Sequence, residues 1–179
     1  MVNFVKTNFI MKKITLLIIA LTTFSCTQAQ KTEQNKTAFS ETALSQTLLA
    51  TDGTQVKFED ILKKQKGKTT LIEVWASWCG DCVKAMPKLK ELQANNPKVS
   101  YVFLSMDKTA DKWKAGIEKH QLNGLHFMAN DGMKGVFGAG IDLDWIPRYI
   151  IINKKGKIVL YRAIETDFDK IDATLKQLQ

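Results

Sequence analysis

Histidine is nearly absent from this chain, and its two copies, His120 and His126, fall on a predicted helix end and a separate predicted strand. A four-ligand zinc site would have to recruit both, together with a pair of cysteines from far upstream, so no metal is expected. No apolar run reaches the roughly 20 residues that span a bilayer, which argues against a permanent transmembrane helix. Acidic residues are outnumbered 18 to 26 by lysine and arginine, for a formal charge of +8. The lysines are nevertheless scattered over predicted helix faces and the turn Asn153 to Gly156, without interleaved aromatics, so no nucleic-acid partner is expected. Proline occurs only at Pro87, Pro97 and Pro147, and there is neither an internal repeat nor a low-complexity tract. What remains is an ordinary globular composition, 45% hydrophobic and 25% charged, with room for one compact domain.

Cysteine is also sparse, and the first of three stands apart. Lys12 and Lys13 precede the apolar run Ile14 to Leu21, followed by small and polar residues to Gln30, the layout of a secretory signal over residues 1–29. Met11 looks like a natural start. The stretch "TFSC" loosely resembles a bacterial lipobox, in which Cys26 would carry a lipid, although Thr23 stands where leucine is usual and Phe24 is bulky. Cleavage after Ala29 is the alternative. In neither case is Cys26 a free thiol of the folded domain. Without the leader and its Lys6, Lys12 and Lys13, the charge falls to 8 − 3 = +5. Residues 30–39 are polar and aperiodic and read as a tether.

The domain is expected over residues 40–179. Asp52-Gly53 between two strand-like pieces signals a hairpin, and the helical turn "FEDILKK" follows. Thr70 to Trp75 is almost continuously apolar, as in a central strand covered on both faces. Val83, Met86, Leu89 and Leu92 recur at helical spacing, with Pro87 predicting a kink and a helix end near Asn95 to Pro97. Val99 to Met106 reads as a strand parallel to the first. A helix capped by Thr109 and packed through Trp113 and Ile117 follows, then a short strand Leu125 to Met128 and a glycine-rich loop. Tyr149 to Ile152 and Ile158 to Tyr161 flank "NKKG" as a second hairpin. The last helix is expected to open at Thr166 and bury Phe168, Ile171, Leu175 and Leu178. This order predicts an α/β fold, a mixed central sheet flanked by helices, with the N-terminal hairpin as an extension.

The other two cysteines, in "EVWASWCGDC", sit where the buried strand gives way to a helix. Backbone N–H groups and the positive end of the helix dipole favour the thiolate of Cys79, lowering its pKa below the free value of about 8.5. Cys82, one turn on, is close enough to close a disulfide and is the more shielded partner. A structural staple is a poor explanation, since so short a loop constrains the unfolded chain little. Haem attachment would need histidine where Val83 stands. Redox chemistry by the thiols, with no cofactor, is the favoured reading; a metal-binding or copper-delivery module is the alternative of a different class.

"VWASWCGDC", Pro87 five residues after the second cysteine, and Ile146-Pro147 before "RYIII" together resemble the thioredoxin superfamily. The leading "DG" hairpin and the late "NKKGKIV" hairpin look like its exported TlpA and ResA branch. The resemblance covers about residues 40–179. It implies a thioredoxin-like fold, and a redox-active disulfide between Cys79 and Cys82. It also implies a cis peptide before Pro147 facing that disulfide, with Trp78, Ile146 and Pro147 contacting substrate. Arg148 departs from the threonine common there. Glu73, six residues before Cys79, stands where thioredoxins carry a buried acid that assists proton transfer for the second cysteine. Its apolar neighbours argue for burial and a raised pKa. Trp75 and Trp78 read as packing around the site, and Met86, Met106 and Met128 as core filler. Asp81 next to the thiolate disfavours a second negative charge and a reduced form, giving a more reducing couple; favouring the helix N-terminus is its other reading. Together these imply a periplasmic monomer, an exported reductase of protein disulfides supplied by a membrane electron donor. An oxidase or isomerase is the nearest rival.

Overall fold

The computed structural model describes residues 36–179, so the leader and Cys26 lie outside the described residues. Thirteen elements follow one another among these residues. They are α1 (Glu41–Ser45), β1 (Thr47–Ala50), β2 (Gln55–Lys57), α2 (Phe58–Lys63), β3 (Thr70–Trp75), α3 (Gly80–Asn95) and β4 (Ser100–Ser105). Then come α4 (Ala110–His120), β5 (Leu125–Met128), α5 (Val136–Gly140), β6 (Arg148–Ile152), β7 (Ile158–Ala163) and α6 (Phe168–Gln177).

The strands form one mixed sheet of seven in the order β2-β1-β5-β4-β3-β6-β7. All six residues of β3 are buried, because β4 runs parallel on one side, β6 antiparallel on the other, and helices cover both faces. The first hairpin turns at Gly53, whose φ of +87° suits a residue without Cβ. Asp52 Oδ1 accepts from the Thr54 N–H at 2.9 Å and fixes that turn. β1 continues the sheet by pairing antiparallel with β5, Leu49 opposite Met128. Met86, Met106 and Met128 are all buried in the core.

Several expectations need correction. The segment read as tether does not extend to residue 39. Phe39 is buried with its ring 4.9 Å from that of Phe58, which in turn stands 5.1 Å from Phe137. Thr37 accepts a hydrogen bond from the Ile158 N–H, and Lys36 pairs with Asp142. The glycine-rich loop contains α5, whose Gly138 has no room for a Cβ against the Met133 carbonyl. Thr109 stands at the N-cap of α4, but its side chain makes no capping bond. The last helix has Asp167, not Thr166, at its N-cap, and the Asp167 carboxylate accepts from the Ile164 N–H instead of capping the helix. α3 continues through Pro87 for 16 residues and ends at Asn95, within the stretch Asn95 to Pro97 expected for its end.

Candidate active site

The end of β3 delivers Ala76, Ser77 and Trp78 into a tight turn closed by the Cys79 N–H on the Ala76 carbonyl at 3.1 Å. Cys79 is the N-cap of α3, with extended backbone, and its Sγ accepts from the Cys82 N–H at 3.1 Å. This is the position where the positive end of the helix dipole and a free N–H stabilise a thiolate. Cys79 and Cys82 are joined in a disulfide. Cys79 keeps 6% of its surface exposed while Cys82 has none, so an incoming disulfide or thiol can reach Cys79 alone. Asp81 is ion-paired with the exposed Lys84 at 3.4 Å, which partly offsets its charge near the sulfurs.

Across from the disulfide, the Ile146 carbonyl oxygen lies 3.5 Å from Cys79 Sγ, and the Ile146–Pro147 peptide is cis. Ile146 and Pro147 are buried. Trp145 just before them is 49% exposed, and Trp78 beside Cys79 is 58% exposed. Trp78 therefore does not pack the site as Trp75 does, since Trp75 is fully buried. Two large apolar side chains at the rim of a reactive sulfur offer a contact surface that a soluble domain otherwise hides.

The loop that carries Ile146 is pinned from below. Buried Arg148 donates to Asp144 at 2.5 Å and to the Arg162 carbonyl at 2.6 Å, and Asp144 also pairs with Arg162. Arg162 in turn donates to the Asp142 carbonyl at 3.0 Å, and the Tyr161 hydroxyl to that of Ile141 at 2.5 Å. Arg148 thus points into this support.

Glu73 in the middle of β3 is only 2% exposed. Loss of solvent pushes its carboxyl up to about 8, against which the Tyr149 hydroxyl, 3.4 Å from Oε1, pulls it down. Asp107, which sequence reasoning missed, is fully buried and accepts from the Ser77 N–H, the Ser77 hydroxyl and the Ser105 hydroxyl at 2.9, 2.6 and 2.8 Å. It ties the turn before Cys79 to the end of β4. The only signal for it was an acid directly after a buried strand. Trp145 was likewise missed, its only signal being adjacency to Ile146-Pro147.

His126 stacks on Phe103 with centroids 4.8 Å apart and its Nε2 faces the Leu122 carbonyl, while His120 ends α4. Among the described residues no three His, Cys, Asp or Glu side chains gather where they could hold a metal ion.

Residues 67–158 match the family model described as thioredoxin-like. The chain is similar to the thiol-disulfide oxidoreductase ResA of Bacillus anthracis, 27% identical over 133 residues, 71% of this chain and 70% of that protein. It is also similar to the soluble secreted antigen MPT53 of Mycobacterium tuberculosis, 25% identical over 91 residues, 51% of each chain. Among solved structures, one described as a thiol-disulfide oxidoreductase from Bacteroides vulgatus superposes with a TM-score of 0.62 at 31% identity, over 76% of this chain and 87% of that one.

Proposed function

The chain belongs to the thioredoxin-like family, and from that premise we propose that it is a thiol-disulfide oxidoreductase that reduces protein disulfides outside the cytoplasm. The observation that carries this reading is the Cys79–Cys82 disulfide at the head of α3, with Cys79 accessible and Cys82 sealed.

The reduced pair works in two displacements. The Cys79 thiolate attacks one sulfur of a substrate disulfide, forming a mixed disulfide and releasing the other substrate sulfur as a thiolate, which takes a proton from water. Cys82 then gives its proton to the Glu73 carboxylate and attacks Cys79 Sγ. The mixed bond breaks, the second substrate sulfur leaves as a thiolate that takes a proton from water, and the Cys79–Cys82 disulfide forms. Two electrons have passed to the substrate. A carboxyl with a pKa of about 8 is protonated in that oxidised product at neutral pH, which matches its having just received the proton. When a dithiol donor reduces the pair again, the same proton returns to Cys82 as its sulfur leaves.

Export is supported by the leader-like composition of residues 1–29 and by similarity to a protein called a secreted antigen. Attachment of a lipid at Cys26 would hold the domain at a membrane. An exported compartment is oxidising, so a reductant there needs electrons from a membrane partner.

The direction of electron flow is tested by equilibrating the Cys79–Cys82 couple against dithiothreitol and glutathione buffers. Asp81 disfavours the thiolate form, so the potential is expected near or below about −250 mV. A value of about −120 to −180 mV would make the protein an oxidase or isomerase instead. Trp145 and Trp78 supply the apolar rim against which a substrate chain lies beside Ile146 and Pro147. Trp145→Ala is expected to raise KM for a protein disulfide about fivefold, the loss of roughly one aromatic contact. Reduction by a small dithiol should stay as in the parent, and an unchanged KM for the protein substrate would remove Trp145 from the contact surface.

A further inference from the structure

β6 runs antiparallel to β3 with Tyr149 directly opposite Glu73, so the two side chains leave the sheet on the same face. Both are buried, and the Tyr149 hydroxyl is 3.4 Å from Glu73 Oε1. Among the described residues it is the only donor to that carboxyl, since Oε2 has no partner. The Tyr149 ring packs at 5.3 Å from Phe168 of α6, a contact that phenylalanine would make equally well. The hydroxyl is therefore not required for packing, and burying it without a partner would cost stability. Its partner is the buried acid of β3.

We propose that Tyr149 is a positioning residue for the redox reaction: its hydroxyl holds the Glu73 carboxyl in place and stabilises the carboxylate that accepts the Cys82 proton. The proposal rests on the function of Glu73 given above and adds the group that makes this acid usable. Tyr149 itself stays protonated, because burial and the carboxylates of Glu73 and Glu165 push it well above the usual phenol range. It is a permanent donor, not a proton carrier. The charged surroundings are otherwise sparse. β4 presents Phe103 opposite Glu73, and α6 presents Phe168 against Tyr149; neither titrates. Glu165 lies near Tyr149 and raises its pKa further. Among the described residues no lysine, arginine or histidine offsets the burial of Glu73, and the hydrogen bond from Tyr149 is the one influence pulling its pKa down.

Tyr149→Phe removes that donor and keeps the ring. Without it, Glu73 holds its proton to higher pH by about one pH unit, the lower end for a hydrogen bond to a charged group given the long contact. Two readouts on the full chain test this. In the oxidised protein with ¹³C-labelled glutamate, the Glu73 carboxyl resonance, assigned by its loss in Glu73→Gln, should titrate about one pH unit higher in Tyr149→Phe. In turnover with insulin as the disulfide, the neutral-range limb of the pH–rate profile should move by the same amount, leaving the rate at pH 7 about tenfold lower. Glu73→Gln should flatten that limb. If Glu73→Gln flattens it but Tyr149→Phe moves neither resonance nor limb, Tyr149 only packs against Phe168 and the proposal is wrong. If Glu73→Gln leaves the limb unchanged, the proton-accepting role of Glu73 falls and this proposal falls with it.

Discussion

Cys82→Ser is expected to accumulate a covalent complex with its substrate, a mixed disulfide through Cys79 that survives non-reducing electrophoresis and disappears on adding dithiothreitol. Cys79→Ser is expected to form none and to lose disulfide reduction altogether. The asymmetry follows from position. Cys79 sits at the head of α3 with a little surface open and the Cys82 N–H on its sulfur, so it can be both ionised and reached. Cys82 is fully covered, so its sulfur can attack only Cys79. Serine at position 82 removes the internal nucleophile that ends the intermediate, whereas serine at position 79 removes the step that begins it. The rate loss for Cys79→Ser should reach the detection limit of an insulin-reduction assay, because an alkoxide is not formed near neutral pH. Trapping by Cys79→Ser, or full turnover by Cys82→Ser, would reverse or cancel these roles. A stoichiometric metal that co-purifies with the reduced protein and is lost in Cys79→Ser would point instead to thiolate coordination.

The elements nearest the cysteines are the ones local sequence specifies. β3 is continuously apolar apart from Glu73, and its burial on both faces follows from that composition alone. The Asp52-Gly53 turn and the "NKKG" turn carry their own backbone chemistry, visible without any tertiary contact. The seam between β1 and β5 is different, because nothing in either short strand names its partner; the pairing joins residues about eighty apart, and β5 is held on its other side by β4. The same holds for the stack of Phe39, Phe58 and Phe137, three rings from three separate segments that bring residues 36–39 onto the domain. α5 was hidden by its glycines, whose low helix propensity is overridden by a packing site that excludes any larger residue at Gly138. At the site, the cysteines and Glu73 stand at fixed spacing along one strand and one helix. The supports do not: Asp107 reaches back thirty residues to Ser77, and the Arg148, Asp144 and Arg162 cluster joins β6, β7 and the loop between them and α5. Such contacts are set by the closed fold and leave little trace in the local pattern.

Glu73 makes the oxidised domain less stable as pH rises, and the sign follows from its burial. The carboxyl has a pKa of about 8 in the folded protein against 4.5 for the exposed group. Below 4.5 both folded and unfolded chains hold the proton and nothing is lost. Between the two values the unfolded chain ionises freely while the folded one does not, so the folded state binds more protons and stability falls with rising pH. Above about 8 the slope vanishes. With each pH unit equivalent to about 1.4 kcal/mol, the loss between pH 4.5 and 7 amounts to about 3 kcal/mol, much of the stability of an ordinary domain. His126, which burial holds below its usual range, works in the opposite direction, because its neutral form is favoured in the fold and its contribution is lost as pH falls. The comparison that isolates Glu73 is therefore between the parent and Glu73→Gln by urea unfolding of the oxidised protein from pH 4 to 9. The difference in unfolding free energy should shift in favour of the glutamine variant by about 3 kcal/mol from pH 4.5 to 7 and level off past about 8. Parallel stability curves would mean that Glu73 titrates like an exposed acid, and the carboxyl would then be ionised in the oxidised protein at neutral pH, with no proton to return to Cys82 when the disulfide is reduced.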